Sequence, residues 1–254
     1  MGNNNYSGIQ NKMYKNPNAL ENYIQSRRRV KIMDILSRTV RKSWKVLDCG
    51  CANGFWIDFL FSKVERIYGA EFIWEEIDFI APFYKRLVIN ASVEEIPFKN
   101  KLFDCVLFLD VIEHLREPIK AIQEIKKVLM KNGLLFLTTP SKYSVYENKE
   151  FVSIRRFLQG LKRRALGKRF LLGFEPHCSL FSLAELKKIL QKEGFKIEEV
   201  STVSFCLPFL GDIGPLYFKW KHAEVILDIF GRVVNKIPLI KQLNWTVCFF
   251  CRKF

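Results

Sequence analysis

Several things this sequence lacks narrow its reading before any motif is considered. No run of 18 apolar residues exists, so no membrane-spanning helix is expected. The opening "MGNNNYSGIQNKMYKN" has no apolar h-region, so no secretory signal is expected. Its Met-Gly is followed by Ser7 one place too late for a myristoylation signal. There is no internal repeat, and no G-x-G-x-x-G dinucleotide fingerprint. Histidine is scarce, with only His114, His177 and His222. Cys248 and Cys251 form a C-x-x-C pair with no second pair and no histidine nearby, so no zinc site is expected. The seven cysteines are scattered and odd in number. They read as buried free thiols in a cytoplasmic protein.

Acidic residues are also short, with 26 against 41 basic ones and a net charge of +15. Residues 1–45 carry +8, residues 149–170 carry +7, and residues 46–140 carry −3. The basic flanks imply an anionic partner for the periphery, and none for the central site.

What is present is an alternation of strand and helix. Residues 21–42 read as a basic helix. "KVLDCG", "RIYGAEF", "RLVIN", "FDCVLFLDV" and "LLFLTTP" read as strands. "GFWIDFLFS", "WEEIDFIAPF" and "EPIKAIQEIKKVLM" read as helices between them, the last ended by Asn132-Gly133. Strands that are apolar throughout imply a parallel sheet covered on both faces. "FSLAELKKILQKEGF" starts a further helix with a capping box, Ser182 and Glu185, and ends it at Gly194. Two strands close the chain, "FKIEEVSTVSF" and "LNWTVCFFCRKF", with a helix between them around 219–235. The expected organisation is a basic arm and helix at 1–45, a ligand-binding core at 46–140, a basic insert at 141–176, and a C-terminal part of the same domain at 177–254.

"VLDCGCANGFW" is the most informative stretch. In an open parallel sheet, ligands bind beyond the carboxyl ends of the strands. Gly50, Ala52 and Gly54 let the loop after the first strand bend tightly under a ligand. Asp48 places an acid at its mouth, which would repel a pyrophosphate and accept a cation. The pattern points to a positively charged ligand with a nucleoside part.

These residues, with Glu71, "ASVEEIPFKNKLFDCVLFLDVIEHL" and "IKKVLMKNGLLFLTTP", closely resemble the class I S-adenosylmethionine-dependent methyltransferases. The branch they are most similar to contains ubiquinone/menaquinone-biosynthesis enzymes. The resemblance implies a Rossmann-like, doubly wound α/β fold, with a mostly parallel seven-stranded sheet whose last strand is antiparallel. It implies S-adenosyl-L-methionine as cofactor. The Gly50–Gly54 loop, with Cys51 and Ala52, would pass under its methionine part, and Asp48 would orient the loop and the amino end. Glu71 would accept from the ribose hydroxyls. Ser92 and Val93 fall where the family reads adenine, and Asp110, ending the fourth strand, would be a further cofactor contact. Ala52 replaces the usual middle glycine, which is tolerable if its φ is negative.

Methyl transfer from a sulfonium is an in-line displacement with a neutral leaving group. Positioning supplies roughly 7–11 kcal/mol, against roughly 3–5 kcal/mol from a general base. His114 and His177 are the base or substrate-contact candidates. In the insert, Phe151, Ile154, Phe157, Leu158 and Leu161 recur at helical spacing among arginines and lysines. This segment could form a lid, peripheral contact with an anionic membrane surface through 149–170, or a nucleic-acid contact. The expected function is methyl transfer to a small-molecule or lipid-linked acceptor. The alternatives are an RNA methyltransferase and a non-catalytic binding protein of the same fold.

Overall fold

The structure is a computed structural model that describes residues 19–143, 178–203 and 246–254. His177, His222, Cys206, the insert at 149–170 and the helix expected at 219–235 lie outside the described residues. The described chain begins with helix α1, Ala19–Thr39. Then follow β1 (Lys45–Cys49), α2 (Phe55–Phe61), β2 (Arg66–Glu71), α3 (Trp74–Asp78), α4 (Pro82–Lys85) and β3 (Val88–Asn90). Next come β4 (Phe103–Leu109), a 3₁₀ turn (Ile112–His114), α5 (Pro118–Val128) and β5 (Leu129–Pro140). The last elements are α6 (Leu183–Lys192), β6 (Phe195–Val203) and β7 (Thr246–Lys253).

The seven strands form one sheet in the order β3-β2-β1-β4-β5-β7-β6. β1 pairs in parallel with both β2 and β4, β2 with β3, and β4 with β5. The last strand is antiparallel. The order reverses between β1 and β4, so the crevice at their carboxyl ends is where a ligand belongs. The strands reaching it are apolar because helices cover both faces: Val46, Leu47, Val106, Leu107 and Phe108 are all fully buried. Ile32, Ile35 and Leu36 from α1 join the same core as Ile57 and Leu60 from α2. α5 buries Ala121, Ile122, Ile125 and Val128 along one stripe, while Ile119, at helical spacing with them, is exposed. Pro118 stands in its first turn, where the missing N–H costs nothing.

Two sequence expectations need correction. "WEEIDFIAPF" is two short helices, because Ala81 ahead of Pro82 is extended at φ −55, ψ 137. α5 does not run to Asn132-Gly133. It stops at Val128, and the partner of β4 jumps from Leu129 to Leu134 while β4 moves only from Phe103 to Cys105. Asn132, at φ 63, makes the excursion between those two pairings. Gly133 is needed there, since a Cβ would lie 2.9 Å from the Met130 carbonyl oxygen.

Five of the six described thiols are buried as expected, and Cys178 departs from the expectation. Cys49, Cys51, Cys105, Cys248 and Cys251 are free and buried, while Cys178 is exposed. Among the described residues no helix is long and apolar enough to cross a membrane. No cluster of metal-ligating side chains occurs among them.

Candidate functional site

The loop after β1 is held from below by β2. The Gly50 and Cys51 amides both donate to the Ala70 carbonyl, at 2.7 and 3.2 Å. Gly54 donates to the Cys51 carbonyl at 2.8 Å, and the Asp58 amide returns to Gly54 O at 3.0 Å, opening α2. Three left-handed residues make this path: Gly50 at φ 75, Ala52 at φ 43 and Gly54 at φ 78. Glycine takes that conformation freely, whereas alanine costs about 1–2 kcal/mol. The positive φ at Ala52 overturns the expectation of a negative one. Its amide donates to Glu71 Oε2 at 2.8 Å, which offsets part of the strain.

Glu71 is the last residue of β2 and is buried. Its second oxygen, Oε1, accepts the Ile73 amide at 2.8 Å. The Asn90 side-chain amide donates to the Glu71 and Phe72 carbonyls, at 2.9 Å each, and fixes the strand end. One carboxylate thus spans the loop and the exit of β2. Each oxygen keeps lone-pair capacity beyond its single amide.

Asp48 lies beside this acid on β1 and is 1 % exposed. Its Oδ2 has no hydrogen-bond partner among the described residues. Burial, and then the neighbouring Glu71, push its carboxyl up to about 8. Burial, with Asp48 next, also pushes the Cys49 and Cys51 thiols up, and burial followed by Asp104 and then Asp48 does the same to Cys105, so they are inert packing groups.

Asp110 follows the end of β4 and is not part of it, at φ 56. It is tied across to β5. Its amide donates to the Thr138 carbonyl at 3.0 Å, and the Thr138 hydroxyl donates to Asp110 Oδ1 at 3.0 Å. A second tie repeats the arrangement, with the Thr139 hydroxyl donating to buried Glu113 at 3.1 Å. Val111, between these acids, packs on the loop so closely that a Cβ on Gly50 would lie 2.3 Å from its Cγ2. Ser92 accepts the Glu94 amide at 3.1 Å through its hydroxyl, and Val93 is buried. His114 closes the 3₁₀ turn and is exposed.

The structure therefore joins Asp48, Gly50, Cys51, Ala52, Gly54 and Glu71 into one constellation. Val111 links it to the segment carrying Asp110 and His114. Sequence reading missed Val111, Thr138, Thr139, Asn90 and Gly69. Only Gly69 left a signal, as a lone glycine inside a strand: a Cβ there would lie 2.6 Å from the Cys51 sulfur. Phe72, next to Glu71, is 73 % exposed.

A family profile described as a methyltransferase domain matches residues 24–200. The chain belongs to the class I S-adenosylmethionine-dependent methyltransferase family. Among its relatives in this family is a Mycobacterium tuberculosis protein named as a probable S-adenosylmethionine-dependent methyltransferase. It is 27% identical over 124 residues, covering 48% of this chain and 44% of that one. A tRNA U34 carboxymethyltransferase of Campylobacter curvus is 31% identical over 144 residues, covering 49% and 48%. These matches span about half the length of the curated relatives. An Archaeoglobus fulgidus S-adenosylmethionine-dependent methyltransferase shares the fold with a TM-score of 0.57 at 15% identity, covering 98% of this chain and 100% of that one. The family's cofactor is S-adenosylmethionine.

Proposed function

We propose that this protein transfers a methyl group from S-adenosylmethionine to an acceptor. The observation that carries this reading is the buried Asp48 Oδ2, without a hydrogen-bond partner among the described residues and set beside the left-handed loop and Glu71. The residues fit the cofactor's chemistry: an orphaned acid for its positive end, glycines that let it lie on bare backbone, and Glu71 lone pairs for the ribose diol. The bound cofactor supplies an electrophilic methyl on a sulfur that leaves as a neutral thioether.

The protein's own work is binding and alignment. Asp48 and the Gly50–Gly54 loop hold the methionine end. Glu71 holds the ribose, and Ser92 and Val93 border the adenine. The exposed Phe72 offers a ring to stack on that purine. Asp110, held by Thr138, bounds the acceptor side. His114, exposed at the end of the 3₁₀ turn, is the described candidate for contacting the acceptor or taking its proton. His177 is the second candidate.

A small-molecule or lipid-linked acceptor is the first reading, since no RNA-reading motif accompanies the basic flanks. RNA is the second, favoured by the similarity to tRNA U34 carboxymethyltransferases. Calorimetry with S-adenosylmethionine tests the cofactor, and no heat with intact protein would overturn the reading. Radiolabelled methyl transfer to lipid extracts, small phenols and bulk tRNA then separates the acceptors. Binding without transfer to any of them would favour a non-catalytic relative.

A further inference from the structure

The acid pair at the loop has a charge problem that points to how the ligand enters. Asp48 is sealed at the carboxyl end of β1, 1 % exposed, with Oδ2 unpartnered among the described residues. Among the described residues, the ionisable groups found to interact with it are Glu71 from β2, the thiols of Cys49 and Cys51 from β1 and its loop, and the thiol of Cys105 from β4. None of these is a cation. Glu71 is different, because the Ala52 and Ile73 amides each donate to one of its oxygens. Two backbone amides thus face Glu71, whereas among the described residues no donor reaches Asp48 Oδ2. One negative charge in this pocket is therefore supported and a second is not.

Resting on the proposed cofactor, we propose that its binding is a proton exchange: Asp48 is the neutral acid in the free protein, and the arriving positive charge expels that proton to solvent. The exchange balances. One proton leaves the pocket as one positive charge enters, so the pocket carries one net negative charge before binding and the same one after it. The charge that Asp48 reads is either the sulfonium or the ammonium of the cofactor, both being compact cations. After methyl transfer the sulfonium is gone and the ammonium remains, so the two sources are separable.

The test is titration calorimetry of the whole protein at pH 7 in buffers of different ionisation enthalpy, such as phosphate and Tris. With Asp48 near 8 in the free state, about 0.9 proton is released per S-adenosylmethionine bound at pH 7. Between pH 5.5 and 7, where the ligand's amine stays protonated, affinity rises about 30-fold. S-adenosylhomocysteine releasing the same amount assigns the ammonium, and releasing none assigns the sulfonium. Asp48→Asn binds with no proton release and a flat pH profile over that window. Should the variant fail to fold, infrared difference spectra of the native protein must show a protonated carboxyl band lost on binding. Heat that does not depend on the buffer, no such band, or proton release unchanged in Asp48→Asn would overturn the proton exchange and leave the methyltransferase reading intact. Absence of any binding heat would overturn the reading itself and the exchange with it.

Discussion

Replacing Asp48 by asparagine should make the free protein more stable, and the size of the gain follows from its burial. Asparagine copies the shape of the neutral acid and cannot ionise. In the native state the Asp48 carboxyl titrates near 8, against an ordinary value of 3.8. A raised carboxyl value means that the native chain binds the proton more tightly than the unfolded chain. Its stabilising contribution is complete below the unfolded value and is lost as pH rises toward 8. Between those limits unfolding releases close to one proton, so stability falls by about 1.4 kcal/mol per pH unit. From 3.8 to pH 7 that sums to about 4 kcal/mol, an upper bound because the pocket can relax. Half of it, about 2 kcal/mol, raises Tm by roughly 4–8 °C. The assay is denaturant unfolding of the two proteins from pH 5 to pH 8. The difference between them should widen with pH. A variant that is less stable than the native protein at pH 7, or a difference that does not change with pH, would refute the reasoning.

The remaining predictions concern the loop and the far end of the sheet. Ala52→Gly should raise the denaturant midpoint by an equivalent of about 0.5–1 kcal/mol, since relief of the left-handed strain exceeds the extra unfolded-state entropy. An unchanged or lower midpoint would contradict the φ of 43 at that residue. Gly50→Ala should cost about 2 kcal/mol or more and abolish cofactor binding by calorimetry, because the new methyl meets Val111. Adding Val111→Ala should recover about 1 kcal/mol, the steric part, and leave the φ penalty. Lys253→Met should cost about 1–3 kcal/mol in urea unfolding, since the Lys253 ammonium donates to the Lys126 and Leu129 carbonyls at the end of α5, at 2.5 and 2.6 Å. Glu71→Gln should weaken S-adenosylmethionine at least tenfold in calorimetry, a loss of about 1.4 kcal/mol or more. It replaces an anion that accepts two amides by an amide with a single acceptor oxygen.

The alternation of apolar strands with amphipathic helices was legible because each strand of a covered parallel sheet must be apolar on both faces. The site was legible where chemistry is local: the small residues of the loop, the acid before them, and Glu71 ending β2. What escaped was everything set by partners distant in sequence. The φ of 43 at Ala52 is sustained by Glu71, 19 residues on. Asp110 takes φ 56 against Thr138, 28 residues on. The end of α5 at Val128 reflects where β4 needs its next partner, so Asn132-Gly133 looked like a cap in sequence and serves as an irregularity within β5 that shifts its register against β4. The break at Pro82 is different, since its effect on Ala81 is purely local and lies within the sequence itself.

The place of β7 also sets an order of events. β7 comes after β6 in the chain, yet it lies between β5 and β6 in the sheet. As the chain leaves the ribosome, β6 emerges with no neighbour to pair with. The stretch from Val203 to Lys253 takes roughly 3–10 s to synthesise. During that interval the outer edge of β5 is an open template for foreign strands. The loop and Glu71 belong to β1 and β2, which can pair long before. A nascent chain stalled ahead of β7 would therefore carry a formed cofactor loop on a sheet still exposed at one edge, and slowing translation there would lengthen the window in which a chaperone must cover it.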